Sequence, residues 1–250
     1  MHRKLVWLIS GLLHRIHGGK ARRAPAPTKP ICVIGDVHGC IGLLEKLLSQ
    51  VPHDAQIILV GDYIDRGEHS SEVLRMMQAC PEFMCLMGNH EQMLLRFLAD
   101  PKKHGRQWLR NGGLQTLASF RIPAARPEMT SEELTKCRDS LRRAMGDELV
   151  GWIADLKTSF HSGNIFVSHA GADPTCRLDQ QSEHDLLWGN KHFQTKDRKD
   201  GQWVVHGHTI VSRAAVRGGR IAVDTGAFAT GVLSAVYLDG SEPEFLTALG

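Results

Sequence analysis

None of the six cysteines, at 32, 40, 80, 85, 137 and 176, forms a Cys-x-x-Cys pair. This spacing excludes the usual thiolate cage of a structural zinc and gives no compact disulfide framework. Free thiols in a reducing cytoplasm are therefore expected. The chain also lacks an apolar run long enough to cross a bilayer, an internal repeat and a low-complexity tract. Acidic residues are missing from the first 29 positions, which hold seven Lys or Arg. There an apolar helical stripe (Leu5, Leu8, Ile9, Leu12, Leu13, Ile16) is interleaved with Arg3, Lys4, Arg15 and Lys20, before the chain runs into ARRAPAPTKP. We read residues 1–29 as a basic amphipathic arm and linker, and residues 30–250 as the catalytic domain. No small-residue cleavage site follows the stripe, so a secretory signal is not expected. The expected location is cytoplasmic, with residues 1–20 suited to weak contact with a membrane surface. Beyond the arm, 23 basic residues face 27 acidic ones, so the overall charge of +3 does not describe a nucleic-acid-binding domain.

What is present is one strand design used several times. The apolar run Ile57, Ile58, Leu59, Val60 passes directly into GDYIDRG at 61–67, a buried strand that delivers charged groups to its C-terminal end. Asp62 and Asp65 beside a hydrophobic core require a compensating cation or hydrogen-bond network, because an isolated buried carboxylate is too costly. Strand 31–34 ends likewise in GDVHG, and helical spacing at Ile41, Leu44, Leu47 and Leu48 joins the two strands as a βαβ unit. A helix over 70–80 and a strand over 83–87 lead to GNHE at 88–91. Residues 91–99 and 108–117 read as helical around a Gly-Gly break. The spacing Leu134, Cys137, Leu141, Met145, Leu149, Trp152, Leu156 predicts one long amphipathic helix covering the catalytic face. Strand 165–168 ends in His169, the Val204–Val205 pair leads into HGHT, and 221–223 runs into DTGA before a last expected strand at 232–238.

Five strand ends thus present Asp36 and His38, then Asp62, then Asn89 and His90, then His169, and finally His206 and His208. Oxygen and imidazole donors without a thiolate suit Mn²⁺, Fe or a catalytic Zn²⁺. Two cations suit the set better than one. A carboxylate such as Asp62 bridges cations about 3.5–4 Å apart in two-metal hydrolases.

The strings GD-x-HG at 35–39, GD-xx-DRG at 61–67, GNHE at 88–91, HAG at 169–171 and GHT at 207–209 resemble the calcineurin-like metallophosphoesterases over residues 31–240. GNHEQM, WL-x-NGG at 108–113 and VDTGA at 223–227 look most like the bacterial members of the phosphoprotein phosphatase branch typified by the lambda phage enzyme. Ile210, where wider relatives often carry a further histidine, agrees with that branch. The resemblance implies an α/β fold: a four-layer α-β-β-α sandwich of two mixed sheets flanked by helices. It makes Asp36 and His38 ligands of one divalent ion, Asp62 the bridge, and Asn89, His169 and His208 ligands of a second, with Mn²⁺ preferred over Fe or Zn²⁺. His90 becomes the general acid, oriented by Asp65. Arg66, with Asn89 and His90, binds the phosphoryl group, and the nucleophile is water held by the metal pair.

The activity implied is hydrolysis of phosphomonoesters, first of phosphoserine and phosphothreonine in a protein or peptide, with small phosphomonoesters as further substrates. The alternative is symmetrical hydrolysis of bis(5'-nucleosyl) tetraphosphates. A non-catalytic phosphoprotein-binding module would have lost metal ligands or the acid, and this sequence has lost neither. Two departures bear on the substrate: Met87 and Asn190 stand where relatives often place phosphate-facing cations, and Lys191, Arg110 or another cation would have to replace them. Glu91 is read as structural, His206 as a satisfied or solvent-facing histidine out of phase with the ligands, and Cys40 as a small core residue.

Overall fold

The computed structural model describes residues 22–122 and 126–250. The amphipathic stripe of residues 1–20 lies outside the described residues.

Alternation along the central strands sets the architecture. In β1 (Ile31–Ile34) every side chain is buried, but Ile31 and Val33 face one core while Cys32 and Ile34 face another. A strand buried on both faces must lie in a middle layer. β1 pairs in parallel with β2 (Gln56–Leu59), which pairs in parallel with β3 (Met84–Cys85). A second sheet contains β4 (Ser159–Ser162), β5 (Ile165–Ser168), β6 (Trp203–His206), β7 (Ala215–Arg217) and β8 (Arg220–Ala222), in the order β4-β5-β6-β8-β7. β9 (Val232–Leu238) returns to the first sheet antiparallel to β1, and β10 (Glu244–Leu249) closes its edge, giving the order β10-β9-β1-β2-β3. Both sheets are mixed, and their facing side chains (Ile31, Val33, Ile58, Val60, Ile165, Val167, Val205, Ile221, Val223) form the core between them. At about 25 cal/mol per Å² of buried apolar area, a fully buried aliphatic side chain contributes roughly 1.5–3 kcal/mol, so this layer holds the two sheets together.

The larger helical layer covers the first sheet. It comprises α1 (Ile41–Leu48), α2 (Ser70–Ala79), α3 (Asn89–Ala99), α4 (Pro101–Trp108), α5 (Leu114–Ser119), α6 (Ser131–Met145) and α7 (Asp147–Ala154). The outer face of the second sheet carries far less: Phe166 and Val204 are covered by Leu186 of the six-residue α8 (Glu183–Trp188) and by Phe193 from the loop after it. One further turn, α9 (Ala227–Thr230), stands between two left-handed glycines, Gly226 and Gly231.

Two details differ from the sequence expectation. The long helix over 134–156 is two helices, broken at Gly146 with φ 81°, and α6 and α7 pack with Phe97 and Trp108 in the core beside the first sheet instead of covering the catalytic face. The Gly-Gly of 112–113 is the break that the sequence suggested: Gly112, at φ 111°, is non-helical and kinks the chain between α4 and α5. Three strands, β4, β7 and β10, carried no usable alternation: β7 is exposed throughout and β10 buries only Ala248.

Residues 22–29, expected as linker, pack along the end of the second sheet. Arg22 donates to the carbonyls of Gln202 and Arg198 at 2.6 and 2.7 Å and stands 5.6 Å over the Trp203 ring, while Trp203 Nε1–H donates to the Arg23 carbonyl at 2.8 Å. Ala26 N–H donates to Asn164 Oδ1, and Thr28 N–H to Ser162 Oγ.

Candidate active site

The site lies where β1, β2, β3, β5 and β6 end. Its loops are tied to one another through the backbone. The Asp62 carbonyl accepts the N–H groups of Val37 and His38, the Tyr63 carbonyl that of Gly39, and the His169 carbonyl that of Gly207. A Cβ on Gly88 would fall on the Asp62 backbone N and carboxylate, and one on Gly207 would fall on the Asp36 carboxylate, so only glycine allows these loops to meet.

The turns fold back sharply enough to force non-glycine residues into the left-handed region. His38 (φ 44°), Asp62 (55°), Asp65 (70°), Arg66 (69°) and His208 (61°) are five of the six such residues among those described. Each left-handed residue costs on the order of 1–2 kcal/mol. Such strain persists only where surrounding structure over-determines it, which concentrates it at functional sites.

Glu91 supplies much of that constraint. Its buried carboxylate accepts the backbone N–H groups of Asp62 and Tyr63 at 2.8 Å each and of Gly88 at 2.9 Å, joining the second and third motifs. The structural role expected of Glu91 has this physical form.

Around Asp62 two groups of potential ligand atoms converge, one with His38 and His90, the other with His169 and His208. His38 Nδ1–H donates to the Ile64 carbonyl at 2.7 Å, which leaves Nε2 with its lone pair 3.5 Å from Asp62 Oδ2. His169 pairs Nδ1 with the Val60 carbonyl at 3.2 Å and turns Nε2 to within 3.4 Å of Asp62 Oδ1 and 2.8 Å of Asn89 Oδ1. His208 brings Nδ1 to 2.9 Å from the same Asn89 oxygen. A carbonyl holding one ring nitrogen and freeing the other is the arrangement that orients a metal-ligating histidine. Asp36 belongs to neither three-residue group. Its carboxylate accepts the His208 backbone N–H at 3.0 and 3.2 Å and lies beside a residue that the sequence did not single out, Asp224.

Charge balance tests whether cations fit. Asp36, Asp62, Glu91 and Asp224 are all buried here. Burial, then the neighbouring Asp224 and Asp62 carboxylates, raise Asp36 well above the usual carboxylate range, and burial lifts Asp224 to about 6. Burial opposes ionisation of Asp62 too, yet His169, His90 and His38 together hold its carboxyl below the usual range. Burial also holds His38 and His169 neutral, pushing them down to about 3 and about 4. Clustered carboxylates with neutral imidazoles aimed between them form a donor set that divalent cations fit.

Beside this centre, His90 Nδ1–H donates to Asp65 Oδ2 at 2.6 Å, and Nε2 points back to within 3.8 Å of Asp62 Oδ2. Burial, the largest influence, lowers the His90 pKa, but the Asp62 charge and the Asp65 hydrogen bond outweigh it and raise the imidazole above its ordinary value. Asp65 is held in turn by Trp108 Nε1–H (3.0 Å to Oδ2) and Thr116 Oγ1–H (2.6 Å to Oδ1). Arg66 stands at the half-buried rim. Its backbone N–H donates to the Gly112 carbonyl at 3.2 Å, and its guanidinium forms no ion pair among the described residues.

This geometry coincides with the comparisons. A family model for the calcineurin-like phosphoesterases matches residues 29–212. The chain belongs to that family. It is 29% identical over 215 residues to serine/threonine-protein phosphatase 2 of Salmonella typhimurium, covering 82% of this chain and 90% of that one. It is 28% identical over 225 residues to an asymmetrical bis(5'-nucleosyl)-tetraphosphatase, PrpE, of Bacillus velezensis, covering 78% and 83%. Among solved structures, a protein serine/threonine phosphatase of Saccharomyces cerevisiae with similarity to human phosphatase PP5 superposes with a TM-score of 0.55 at 15% identity, covering 90% of this chain and 81% of that one. The chain is accordingly a hydrolytic phosphatase of the calcineurin-like family, with the two-sheet fold of its members.

The remaining sequence candidates fall as follows. His206 is buried, with Nδ1 3.0 Å from the Gly207 carbonyl and its ring edge-on to Phe193. It is satisfied, not solvent-facing. Cys40 is partly buried on the core beside the first motif. Met87 is buried, and Asn190 directs its amide to Asp173 and Asp185 at 3.2 and 3.0 Å. The residues missed by sequence reasoning are Asp224, Trp108 and Thr116. The first and second lie in strings, VDTGA and WL-x-NGG, whose individual roles had not been separated.

Proposed function

We propose that the protein hydrolyses phosphomonoesters, chiefly phosphoserine and phosphothreonine in proteins or peptides. Two Mn²⁺ ions would be held by Asp36, His38, Asp62, Asn89, His169 and His208. When bound, the ions supply positive charge to the phosphoryl oxygens and make water a competent nucleophile near neutral pH. Asp62, which faces both histidine groups, would be shared by the two ions. Arg66 keeps its guanidinium donors for the phosphoryl oxygens, joined by Asn89 and His90. His90, held by Asp65 and pointing Nε2 into the centre, gives its proton to the departing alkoxide, whose high basicity makes an acid worth roughly 10²–10⁴ in rate.

The observation that carries this reading is the 2.6 Å pair between His90 Nδ1 and Asp65 Oδ2, with Nε2 left toward Asp62. An acid poised in this way serves an alkyl leaving group best. A phosphoanhydride releases a phosphate, a far better leaving group that needs less proton donation. The relatives named for tetraphosphate cleavage support a second reading, in which a bis(5'-nucleosyl) tetraphosphate is the substrate.

Metal-stripped protein, with and without added Mn²⁺, is to be assayed on a phosphoserine peptide, p-nitrophenyl phosphate and diadenosine tetraphosphate. The expected result is Mn²⁺-dependent phosphate release from the peptide that His90→Asn abolishes. Preferential turnover of the dinucleotide would overturn the first reading in favour of the second.

A further inference from the structure

Arg66 has an unusual environment for a cation beside so many carboxylates. It follows Asp65 in the sequence, and both residues are in the left-handed region. Even so, Asp65 spends its two oxygens on His90, Trp108 and Thr116, and Glu91 spends its own on three backbone N–H groups. Among the described residues no carboxylate forms an ion pair with the guanidinium, and Asp224 feels its charge only from beyond ion-pair distance. What meets it is an aromatic ring: Arg66 Cζ stands 4.8 Å from the centroid of Phe228, and that ring also makes a T-shaped contact with His38, centroids 5.2 Å apart at 81°. Phe228 itself is 36% exposed, one of four exposed large apolar side chains among the described residues. Its backbone is well fixed. α9 is a single turn between Gly226 and Gly231, both left-handed; Gly226 N–H donates to Asp224 Oδ1 at 2.8 Å, and Thr230 Oγ1–H donates to the Thr225 carbonyl at 2.9 Å.

Arginine is flexible, and holding it in one place usually falls to a carboxylate that also neutralises it and occupies its donors. The face of an aromatic ring attracts the cation through its quadrupole and accepts none of the five N–H groups in a conventional hydrogen bond. Such a support fixes the guanidinium while leaving it fully available to an oxyanion. We infer that Phe228 is a positioning residue for Arg66, holding the guanidinium over the site so that its donors are presented to the phosphoryl oxygens. The inference rests on the reading above that Arg66 binds phosphate, and the two can fail separately.

The test is the dissociation constant of inorganic phosphate for the Mn²⁺-loaded protein, measured by calorimetry, with kcat and KM on p-nitrophenyl phosphate alongside. Phe228→Leu keeps an apolar group against His38 but removes the ring. It should weaken phosphate binding about 3- to 10-fold, as expected for a partly desolvated cation–π contact, and raise KM in step while changing kcat little. Phe228→Trp should restore binding to within about twofold of the native protein. In an Arg66→Ala background, Phe228→Leu should have no further effect, since a residue that works only through Arg66 has nothing left to position. Arg66→Ala leaving phosphate affinity unchanged would overturn the phosphate-binding reading itself. Arg66→Ala weakening binding while Phe228→Leu does not, or Phe228→Leu weakening it equally in both backgrounds, would overturn the positioning role alone. Mn²⁺ affinity serves as the control for His38: a loss there that accounts for the phosphate effect would likewise overturn it.

Discussion

The Glu91 carboxylate accepts the backbone N–H of Asp62 at 2.8 Å, so a residue that never faces the centre determines where the Asp62 carboxylate stands. The same side chain holds Tyr63 and Gly88, and each of its three bonds is to a buried donor. Glu91→Gln replaces one acceptor oxygen with an NH₂ group that must face a backbone N–H. A buried donor then loses its partner, at roughly 1–3 kcal/mol. We expect Mn²⁺ affinity to fall about 10- to 100-fold, the usual cost of disturbing groups that orient metal ligands, with a lower melting temperature in the metal-free protein. Titration of stripped protein with Mn²⁺ measures the first effect, and an unchanged dissociation constant would show that the Asp62 turn is held by other contacts.

How much of this could be read in advance depended on the kind of signal each residue carries. The strand ends were legible because a buried apolar run ending in Gly-Asp or Gly-Asn reports both burial and a polar group within six residues, as in Ile31 to Asp36 and Ile57 to Asp62. His38, Asp62 and His169 come together as that pattern suggested. Asp36, in contrast, is turned onto the His208 backbone and Asp224, a partnership between residues far apart in sequence that no local pattern encodes. The break at Gly146 between α6 and α7 was hidden for a different reason: the apolar positions keep helical spacing across it, and only the φ of 81° ends the helix. The left-handed turns at His38, Asp62, Asp65, Arg66 and His208 were likewise invisible, since the residue types there are fixed by chemistry and give no hint of the backbone they adopt.

Trp108 offers a test of the acid. Its indole N–H reaches Asp65 Oδ2, the oxygen that also accepts the His90 Nδ1–H, while its ring stacks on Phe97 with centroids 4.6 Å apart. Trp108→Phe retains much of the stack and deletes the N–H. A hydrogen bond to a charged group contributes roughly 1.5–3 kcal/mol, and losing it frees Asp65 to shift away from His90. We expect kcat on a phosphoserine peptide to fall about tenfold or more, with a much smaller loss on p-nitrophenyl phosphate, whose leaving group departs without a proton. Equal losses on both substrates would assign Trp108 to packing instead.

The ordered residues 22–29 determine how the basic arm should be removed. Arg22, Arg23, Ala26 and Thr28 all bond to the second sheet or its loops. Deleting residues 1–29 exposes Trp203 and unpairs several backbone groups, and should therefore lower the melting temperature by several degrees more than deleting residues 1–21. Differential scanning calorimetry separates the two. The shorter deletion is the one to compare with the full chain for binding to anionic vesicles, because a loss of binding there is attributable to the amphipathic stripe. Equal stability of the two truncations would mean that the contacts of residues 22–29 are dispensable.

His206 predicts an acid limb in stability. It is buried beside Phe193, and burial pushes its pKa down to about 4, against an unperturbed value near 6.5. Above pH 7 the ring is neutral in both the folded and unfolded chain, and its titration contributes nothing. As pH falls below about 6.5 the unfolded chain binds a proton that the folded chain refuses, so stability declines, and it goes on declining until the pH passes the folded value near 4. The full difference is on the order of 3 kcal/mol. His206→Asn should cost stability at pH 7, where it removes packing against Phe193, yet that deficit should shrink or reverse as the pH approaches 4. Urea unfolding in chelator at pH 7, 6, 5 and 4 measures it, with the other buried histidines contributing equally to both proteins. A deficit that stays constant with pH would mean that His206 is protonated in the folded chain, and that the carbonyl of Gly207 holds an imidazolium instead of a neutral ring.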